Sequence, residues 1–385
     1  MPNSNFLKKE FKVVISGYYG FGNIGDEAIL TSIIDVFREN APNVKFTVLS
    51  SNPQYTNKAL NVNAINRLDI KSIIKELRTA HLFISGGGGL MQDVTGLFSV
   101  AYYGGLLSIA QMMKVPTMIY AQGFGPLKRF INRSMVKNIF NKTNAITIRD
   151  TYSINDLINL GIKEEKITLT ADPVLLMEKE NKEHIHKILL DAGINPDIPT
   201  IGISIRYWHS WYERQLKAFT SIVYQFARKK KFQILLIPFQ RDVDLWLCEE
   251  AALCFNLRAN RNVNVKILEK QCTPKEMMGI IGEMNFVIGM RLHSLIMAAT
   301  NSVPSIGISY DPKVSSFANQ VSFPCIPSIK DLQNMSQYLP VMENIVNNRD
   351  EISKDISQKV SQLKQLSFEN MNIALKILET NYLKN

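Results

Sequence analysis

Cysteine is scarce in this chain, which has four cysteines among 385 residues. No two of them form a C-x-x-C pair, and no histidine lies near them at a spacing typical of a zinc site. We therefore expect no metal site, and the few scattered thiols favour a reducing, cytoplasmic compartment. The four are Cys248, Cys254, Cys272 and Cys325.

Long apolar runs are also missing. No stretch reaches the roughly 18–20 residues that are needed to span a bilayer. The first eleven residues are polar and lead directly into a predicted strand, which is not typical of a secretion signal. We expect a cytoplasmic protein, with peripheral contact to the inner face of an anionic cytoplasmic membrane as a further possibility.

Acidic residues are outnumbered by basic ones, and the formal net charge is +10. Such a balance is compatible with nucleic acid, an anionic membrane or a phosphorylated substrate, and it selects none of them. The one tight basic cluster, Arg228–Lys231, immediately precedes an apolar strand and indicates a solvated helix end. We therefore expect no nucleic-acid partner.

Two consecutive series of alternating strands and helices are present. They predict an α/β fold of two Rossmann-like, doubly wound domains that face each other across a ligand-binding cleft, the GT-B-like arrangement. The predicted N-terminal domain covers residues 1–172 and the C-terminal domain residues 173–330. A helical tail, residues 331–385, is expected to pack on both. The charged run Glu178–His186 predicts part of a linker.

The first strand is followed by a glycine loop in which Gly20, Gly22 and Gly25 form G-x-G-x-x-G. A dinucleotide fold would place an acidic residue at the end of the second strand. Ser50, Ser51 and Asn52 stand there instead, which disfavours a dinucleotide. Two interpretations remain: a tight turn that needs positive φ angles, or bare backbone N–H groups that face a ligand together with Asn23.

A second loop, Gly86–Gly89, follows the strand that ends at Ser85. Four consecutive glycines carry an entropic cost, so we expect that they allow a ligand to approach the backbone. Gln92 and Asp93 are predicted to begin a helix after this loop.

The segment Gly289–Ser294 connects a predicted buried strand to a predicted buried helix, and such a connection lies at the carboxyl edge of a parallel sheet. Arg291 offers a cationic fork for a carboxylate or phosphate, and His293 can hold or release a proton near neutral pH. Arg149 also ends a predicted strand. The alternatives are a capping or core histidine and, for Arg149, a salt bridge to Asp150 or a neighbour.

Four segments together resemble the polysaccharide pyruvyl transferases, and most closely their bacterial cell-surface-anchoring branch. The resemblance covers about residues 13–317, and the four segments in order are more specific than any one of them. They are Gly17–Glu27, Ser85–Asp93, Gly289–Ser294 and Ser309–Val314.

The resemblance implies that phosphoenolpyruvate is the donor and that no cofactor is needed. The product would be a pyruvate ketal on N-acetylmannosamine of a lipid-linked secondary cell-wall polymer, which anchors S-layer proteins. Carried onto this sequence, the donor-binding residues are Arg149, Arg291 and Lys313, and the catalytic residue is His293.

The acceptor is expected mainly on the N-terminal domain, at the two glycine loops, with further polar side chains at strand ends of the second domain. Each of these residues has the alternative of a cap or a turn. The predicted acceptor residues are Gly22, Asn23, Asp26, Gly87, Gly88, Gln92, Asp93, Arg206, Gln240 and Asp242. Aromatic residues that could stack on sugars or fill the core are Tyr18, Tyr19, Tyr207, Trp208 and Trp211.

Two other functions fit the same pattern. One is a GT-B glycosyltransferase that uses a nucleotide sugar. The other is a noncatalytic protein of the cell envelope that binds sugars or lipid headgroups. A glycosyltransferase would bind a nucleotide sugar and not phosphoenolpyruvate. A noncatalytic protein would bind its ligand without releasing phosphate.

Overall fold

The computed structural model describes residues 9–93, 99–208, 213–257 and 262–383. Contacts divide the chain into two compact units. Unit 1 consists of the described parts of Met1–Met177 and Leu363–Asn385, and unit 2 of those of Glu178–Gln362. The predicted domain boundary after residue 172 precedes this division by a few residues.

Unit 1 is built on a seven-stranded parallel sheet with the order β3-β2-β1-β4-β5-β6-β7. The order reverses between β1 and β4, so a crevice opens at the carboxyl ends of these two strands. The elements are β1 (Phe11–Ser16), α1 (Ile24–Asn40), β2 (Val44–Ser50), α2 (Pro53–Leu60), β3 (Asn63–Asn66), α3 (Ile70–Leu77), β4 (Leu82–Ser85), α4 (Ser99–Met112), β5 (Thr117–Gln122), α5 (Phe130–Lys142), β6 (Ala145–Ile148), α6 (Thr151–Leu160) and β7 (Ile167–Leu169).

Unit 2 repeats this topology in a six-stranded parallel sheet with the order β10-β9-β8-β11-β12-β13. Its reversal lies between β8 and β11. The elements are α7 (Lys182–Asp191), β8 (Thr200–Ser204), α8 (Glu213–Lys230), β9 (Gln233–Leu236), α9 (Arg241–Asn256), β10 (Val265–Ile267), α10 (Pro274–Gly282), β11 (Phe286–Gly289), α11 (Leu292–Thr300), β12 (Ser305–Ile308), α12 (Pro312–Gln320), β13 (Cys325–Ile326) and α13 (Leu339–Asn347). The last helix, α14 (Arg349–Tyr382), begins in unit 2 and ends in unit 1.

The central strands are buried on both faces, which is why they read as continuous apolar runs in the sequence. In β1, for example, Val13, Val14 and Ile15 are all buried. Helices cover both faces of each sheet, and each unit has its own apolar core. The predicted fold class, two doubly wound parallel-sheet domains of Rossmann type, is confirmed.

Three strands were not predicted from the sequence: β3, β7 and β13. Each lies at the edge of its sheet. Edge strands are partly solvated and short, so they lack the apolar run that marks a central strand. The sequence Asn63–Asn66, with no fully buried residue, shows this for β3.

The predicted linker is wrong in its second half, because residues from Lys182 onward form helix α7. Ile185, Ile188 and Leu189 bury the apolar face of α7. His186 lies 2.7 Å from the carboxylate of Glu283, at the end of α10. The charged residues of this run from Lys182 onward therefore belong to the polar side of an amphipathic helix.

The predicted helical tail consists of a 3-10 segment, Ile329–Tyr338, followed by α13 and α14. By contacts the tail is not one body, since its residues up to Gln362 belong to unit 2 and those from Leu363 to unit 1. In unit 1, the side-chain amide of Asn370 donates to the carbonyl of Ala171 at 3.1 Å.

Candidate functional site

The loops that follow β8, β11 and β12 begin side by side at the carboxyl edge of the unit 2 sheet. Gly289, the last residue of β11, pairs with Ser204 of β8 and with Gly307 of β12. Arg206 and Arg291 lie in these connections, and His293 and Lys313 lie in the first turns of the helices that follow, α11 and α12. The sheet therefore brings four of the sequence-predicted residues to the crevice where its strand order reverses.

The start of α11 fits closely against β11. A Cβ on Gly289 would lie 2.5 Å from Oγ of Ser294 and 2.8 Å from a methyl carbon of Leu295, so only glycine permits this approach. Arg291 is the N-cap residue of α11, and the half-buried His293 lies in its first turn. Amide groups and the helix dipole at such a terminus favour an anion.

The side chain of Arg291 forms a two-pronged ion pair with Asp244. Nη2 lies 2.5 Å from Oδ1 and Nε lies 3.0 Å from Oδ2, and Asp244 is fully buried. The same carboxylate accepts the backbone N–H groups of Phe239 and Gln240. Within the described chain, this arrangement leaves the two N–H groups of Nη1 for a ligand.

Asp244 was missed by the sequence analysis, which selected Asp242. Both follow β9, but Asp242 is exposed in the first turn of α9, whereas Asp244 is buried against Arg291. The predicted Gln240 does lie at this site, with its Oε1 3.5 Å from Nη2 of Arg291. The two aspartates differ in burial, and the sequence pattern does not show which of them is buried.

Tyr310 connects two of the cationic side chains of unit 2. Its hydroxyl accepts a hydrogen bond from Nη1 of Arg206 at 3.2 Å, and Nζ of Lys313 lies 5.7 Å from its ring centroid. Trp208 packs against the same ring, with centroids 4.9 Å apart. Lys313 also lies 3.3 Å from the carboxylate of Asp311, the N-cap residue of α12.

Arg149 lies in unit 1, at the carboxyl end of β6. It is buried and forms an ion pair with Asp172, with Nη1 2.5 Å from Oδ2. Asp150 caps α6 instead, because its carboxylate accepts from the backbone N–H and the hydroxyl of Ser153. Arg149 therefore forms a salt bridge, which was the alternative interpretation of this residue, and its partner is Asp172.

The first glycine loop surrounds a carboxylate of the chain itself. The backbone N–H of Gly20 donates to Oε1 of Glu27 at 2.7 Å, and Gly20 and Gly22 have φ angles of 78° and 69°. Burial raises the pKa of Glu27 to about 7, although N–H groups of the loop oppose this shift. The expectation that bare N–H groups face a ligand is thus wrong for Gly20, and the tight-turn interpretation is supported.

Asn23 and Asp26 form a cap at the start of α1. Oδ1 of Asn23 accepts the N–H of Gly25 at 3.2 Å, and Nδ2 donates to Asp26 at 2.5 Å. A Cβ on Gly88 would lie 2.9 Å from Oδ1 of Asp26. Around Gly22, by contrast, none of the atoms that the structure describes lies within 4 Å of an added Cβ.

Packing explains three of the four glycines of the second loop. A Cβ on Gly86 would lie 2.0 Å from the hydroxyl oxygen of Tyr19, and one on Gly87 would lie 2.9 Å from a methyl carbon of Ile29. Gly88 combines its contact to Asp26 with a φ of 98°. At Gly89, in contrast, no described atom lies within 4 Å of an added Cβ. Tyr19 is fully buried, so it is a core residue and not a surface for sugar stacking.

Asp93 lies in a bend, and the residues that follow it, 94–98, lie outside the described part of the chain. Its carboxylate accepts the N–H groups of Lys128 and Arg129, both at 2.9 Å, and the side-chain amide of Asn132. Partial burial opposes ionisation, but these donors hold the pKa of Asp93 below its ordinary value. The structure thus gives this predicted acceptor residue an anchoring contact, and it shows Gln92 half-buried beside it.

An arginine that the sequence analysis missed lies in an aromatic cage at the carboxyl end of β3. The guanidinium carbon of Arg67 lies 5.0 Å from the ring centroid of Phe21 and 4.2 Å from that of Tyr102. Tyr18 stacks on Phe21 at 4.1 Å. Tyr103 completes the cage, and its buried hydroxyl has no hydrogen-bond partner in the described part of the chain.

Of the other aromatic candidates, Tyr207 is exposed and contacts Trp246 edge-on at 5.8 Å. Trp211 lies outside the described residues. Over the residues that the structure describes, no group of three or more His, Cys, Asp or Glu side chains could hold a metal ion. None of the described helices is long and apolar enough to cross a membrane.

Comparison with known proteins agrees with the family resemblance of the four sequence segments. The family description "Polysaccharide pyruvyl transferase" matches residues 23–312, which is most of the chain. The chain belongs to the polysaccharide pyruvyl transferase family. The match begins at Asn23, inside the first glycine loop, covers the second glycine loop and the whole Arg291–His293 segment, and ends one residue before Lys313. This confirms the resemblance at the level of the family and identifies the protein as a transferase.

One relative of this pyruvyl transferase is the amylovoran biosynthesis protein AmsJ of Erwinia amylovora. It is 20% identical over 404 residues, which cover 91% of this chain and 96% of AmsJ.

Solved structures share the fold at low sequence identity. HepE of Anabaena in complex with UDP-glucose has a TM-score of 0.62 at 10% identity and covers 97% of this chain and 100% of its own. The UDP-GlcNAc 2-epimerase of Neisseria meningitidis bound to UDP-GlcNAc has a TM-score of 0.63 at 10% identity, with 95% and 100% covered. These neighbours are consistent with a GT-B-like fold.

Proposed function

We propose that this transferase uses phosphoenolpyruvate as donor and forms a pyruvate ketal on a sugar, with release of phosphate. The observation that carries the proposal is the position of Arg291, His293 and Lys313 just after the adjacent strands β11 and β12 of unit 2, in a chain whose family transfers pyruvyl groups. No cofactor or metal is required by this reaction as proposed.

The donor carries a carboxylate and a phosphate, close to three negative charges. In unit 2, the Nη1 group of Arg291, the ammonium group of Lys313 and the first turn of α11 are cationic or electropositive. The pairing of Arg291 with Asp244 holds its fork in one orientation. Arg149 of unit 1 is proposed as a further donor-binding residue, on the strength of the family resemblance.

The proposed chemistry has two additions at C2 of the donor. A sugar hydroxyl attacks C2 and loses its proton, while a proton is delivered to C3, which becomes the methyl group. The bond between C2 and the phosphate oxygen then breaks, and a second hydroxyl attacks C2 and loses its proton. His293 is proposed as the general acid or base for one of these proton transfers, and the cationic groups stabilise the departing phosphate.

The acceptor is proposed to be a lipid-linked sugar, specifically N-acetylmannosamine of a secondary cell-wall polymer precursor that serves S-layer anchoring. The similarity to AmsJ, a protein of amylovoran biosynthesis, supports a sugar polymer as the general class. The finer assignment to the cell-surface-anchoring branch rests on the order of the four sequence segments.

In unit 1 the open spaces next to Gly22 and Gly89 are the proposed points of approach for the acceptor. Arg67 lies close to the first of these, because its guanidinium packs on Phe21. An aromatic surface with one cation suits a sugar that carries a phosphate, since rings stack on sugar faces and the guanidinium binds the anion.

The deciding experiment measures phosphate release from phosphoenolpyruvate with a lipid-linked acceptor, and analyses the product for a ketal by mass spectrometry. A thermal shift with phosphoenolpyruvate, but not with pyruvate or UDP-sugars, would support the donor assignment. A shift with a UDP-sugar alone would favour a glycosyltransferase. If the protein binds sugars but releases no phosphate with any acceptor, the noncatalytic alternative is favoured.

A further inference from the structure

The chain contains a long stretch without acidic residues. Between Asp93 and Asp150 there is no Asp or Glu, whereas seven residues are Lys or Arg. Helix α5 lies within this stretch, and four of the seven surround its first two turns. The seven are Lys114, Lys128, Arg129, Arg133, Lys137, Lys142 and Arg149.

Two large apolar side chains lie exposed among these charges. Phe130 and Ile131, the first residues of α5, are 83% and 78% exposed. Lys128, Arg129 and Arg133, on either side of them, are exposed as well. Single exposed apolar residues are common, but an exposed aromatic–aliphatic pair between basic residues is the composition of an interfacial membrane contact.

The exposure is built into the fold. The Asp93 carboxylate accepts the backbone N–H groups of Lys128 and Arg129 and the amide of Asn132. Leu127, immediately before, is buried in the core of unit 1. These contacts hold the start of α5 in place, so Phe130 and Ile131 are directed outward by an anchored backbone.

The segment also lies at a functionally relevant edge. It follows β5, and the chain leaves β5 at the carboxyl edge of the unit 1 sheet, where β1 and β4 end in the two glycine loops. Asp156 of α6 interacts electrostatically with Arg133. Partial burial raises the pKa of Asp156 above its ordinary value, and Arg133 opposes this shift.

We propose that residues 128–133 dock unit 1 on an anionic phospholipid bilayer. Phe130 and Ile131 enter the boundary between headgroups and acyl chains, and Lys128, Arg129 and Arg133 contact lipid phosphates. Docking at this edge places the acceptor side of unit 1 at the membrane. The value of docking for catalysis rests on the proposed lipid-linked acceptor, but the docking itself does not.

The test is flotation of the purified full chain with vesicles of phosphatidylcholine alone or with added phosphatidylglycerol. The wild type should float with the anionic vesicles and release from them at high salt. The double variant Phe130→Ser/Ile131→Ser should bind at least about tenfold more weakly, and Lys128→Gln/Arg129→Gln should lose the dependence on phosphatidylglycerol.

The matched control is Leu253→Ser/Leu257→Ser. Leu253 of α9 and Leu257, the C-cap residue of this helix, are 56% and 80% exposed, and they follow the acidic pair Glu249 and Glu250 in the chain. Equal loss in the control, or no binding of the wild type to anionic vesicles, would overturn the proposal. So would a dimer in solution that dissociates in the Phe130→Ser/Ile131→Ser variant, because a second copy would then cover the surface.

Activity assays separate this inference from the proposed function. With a water-soluble short-chain acceptor, the Phe130→Ser/Ile131→Ser variant should release phosphate as fast as the wild type. With a long-chain acceptor embedded in vesicles, its rate should fall. If wild-type protein binds vesicles but never releases phosphate, the proposed function fails and the docking surface stands.

Discussion

Nη2 of Arg291 lies 2.5 Å from Oδ1 of Asp244, a fully buried carboxylate that reaches the arginine from the start of α9. Two backbone N–H groups hold the same carboxylate. Asp244 therefore fixes which edge of the guanidinium faces the crevice of unit 2. It acts on a ligand through Arg291, as a positioning residue.

Replacing Asp244 should impair use of the donor. In Asp244→Asn, Arg291 loses its ionised partner, and we expect kcat/KM for phosphoenolpyruvate to fall by about 10–100-fold, mainly through KM. Loss of one partner of a buried ion pair also costs about 3–5 kcal/mol of stability, so the assay is run well below the measured melting temperature. Asp242→Asn, two residues away and exposed, is the control. Equal effects of the two variants would refute the positioning role.

His293→Ala should lower turnover by about 10²–10⁴-fold if the imidazole transfers a proton. Binding of phosphoenolpyruvate, measured by thermal shift, should remain, because Arg291 and Lys313 are unchanged. The pH profile of kcat should lose one limb in the variant. Turnover close to that of the wild type would remove His293 from the mechanism.

Glu27 should make stability depend on pH. Its pKa is raised to about 7 from the model-compound value of 4.5. The neutral acid is thus favoured in the fold, so this contribution is fully present below about pH 4.5 and is lost as the pH rises through 7. It amounts to at most about 3 kcal/mol.

Urea unfolding at pH 5, 6.5 and 8 checks this prediction. As the pH rises, the wild type should lose free energy of unfolding relative to Glu27→Gln, because the glutamine does not ionise. Glu39→Gln, at the exposed end of the same helix, should show no such trend. A difference for Glu27→Gln that is constant with pH would contradict the raised pKa.

Gly86 and Gly89 should respond differently to alanine. Gly86→Ala forces the new methyl group against the hydroxyl of the buried Tyr19, and we expect a loss of about 1–3 kcal/mol from overpacking. Tyr19→Phe in the same chain removes that oxygen and should restore part of the loss. Gly89→Ala should leave the melting temperature within a few degrees of the wild type.

The same alanine at Gly89 tests the approach of the acceptor. Because the added methyl group enters open space, a rise in KM for the acceptor without a change in stability would show that a ligand uses this space. Unchanged kinetics would leave the second glycine loop with a packing role only.

Arg67→Gln should weaken binding of the acceptor and leave binding of the donor unchanged. The variant removes the cation of the aromatic cage in unit 1, so we expect KM for an acceptor that carries phosphate to rise by about tenfold. The thermal shift with phosphoenolpyruvate should be unchanged. Arg78→Gln, an arginine at the end of α3, is the control. A loss of donor binding in Arg67→Gln would refute the assignment of Arg67 to the acceptor.

Several features of this protein are readable from the sequence, because they depend on local pattern. Continuous apolar runs mark the central strands, and the alternation of these runs with helical spacing defines two doubly wound sheets. Arg291, His293 and Lys313 follow the ends of two neighbouring strands, and they lie at one edge of the sheet because parallel strands all end at the same edge. The order of the four motif segments identifies the family.

Only the tertiary structure decides how each polar group is used. It pairs Arg291 with Asp244 instead of leaving its fork open, fills the first glycine loop with Glu27, and shows that Gly86 makes room for Tyr19. It also assembles the cage around Arg67 from three separate segments, one of which follows an edge strand that has no clear sequence signal. Each of these contacts joins residues far apart in the chain, and long-range burial and charge pairing leave no periodic pattern in a single sequence.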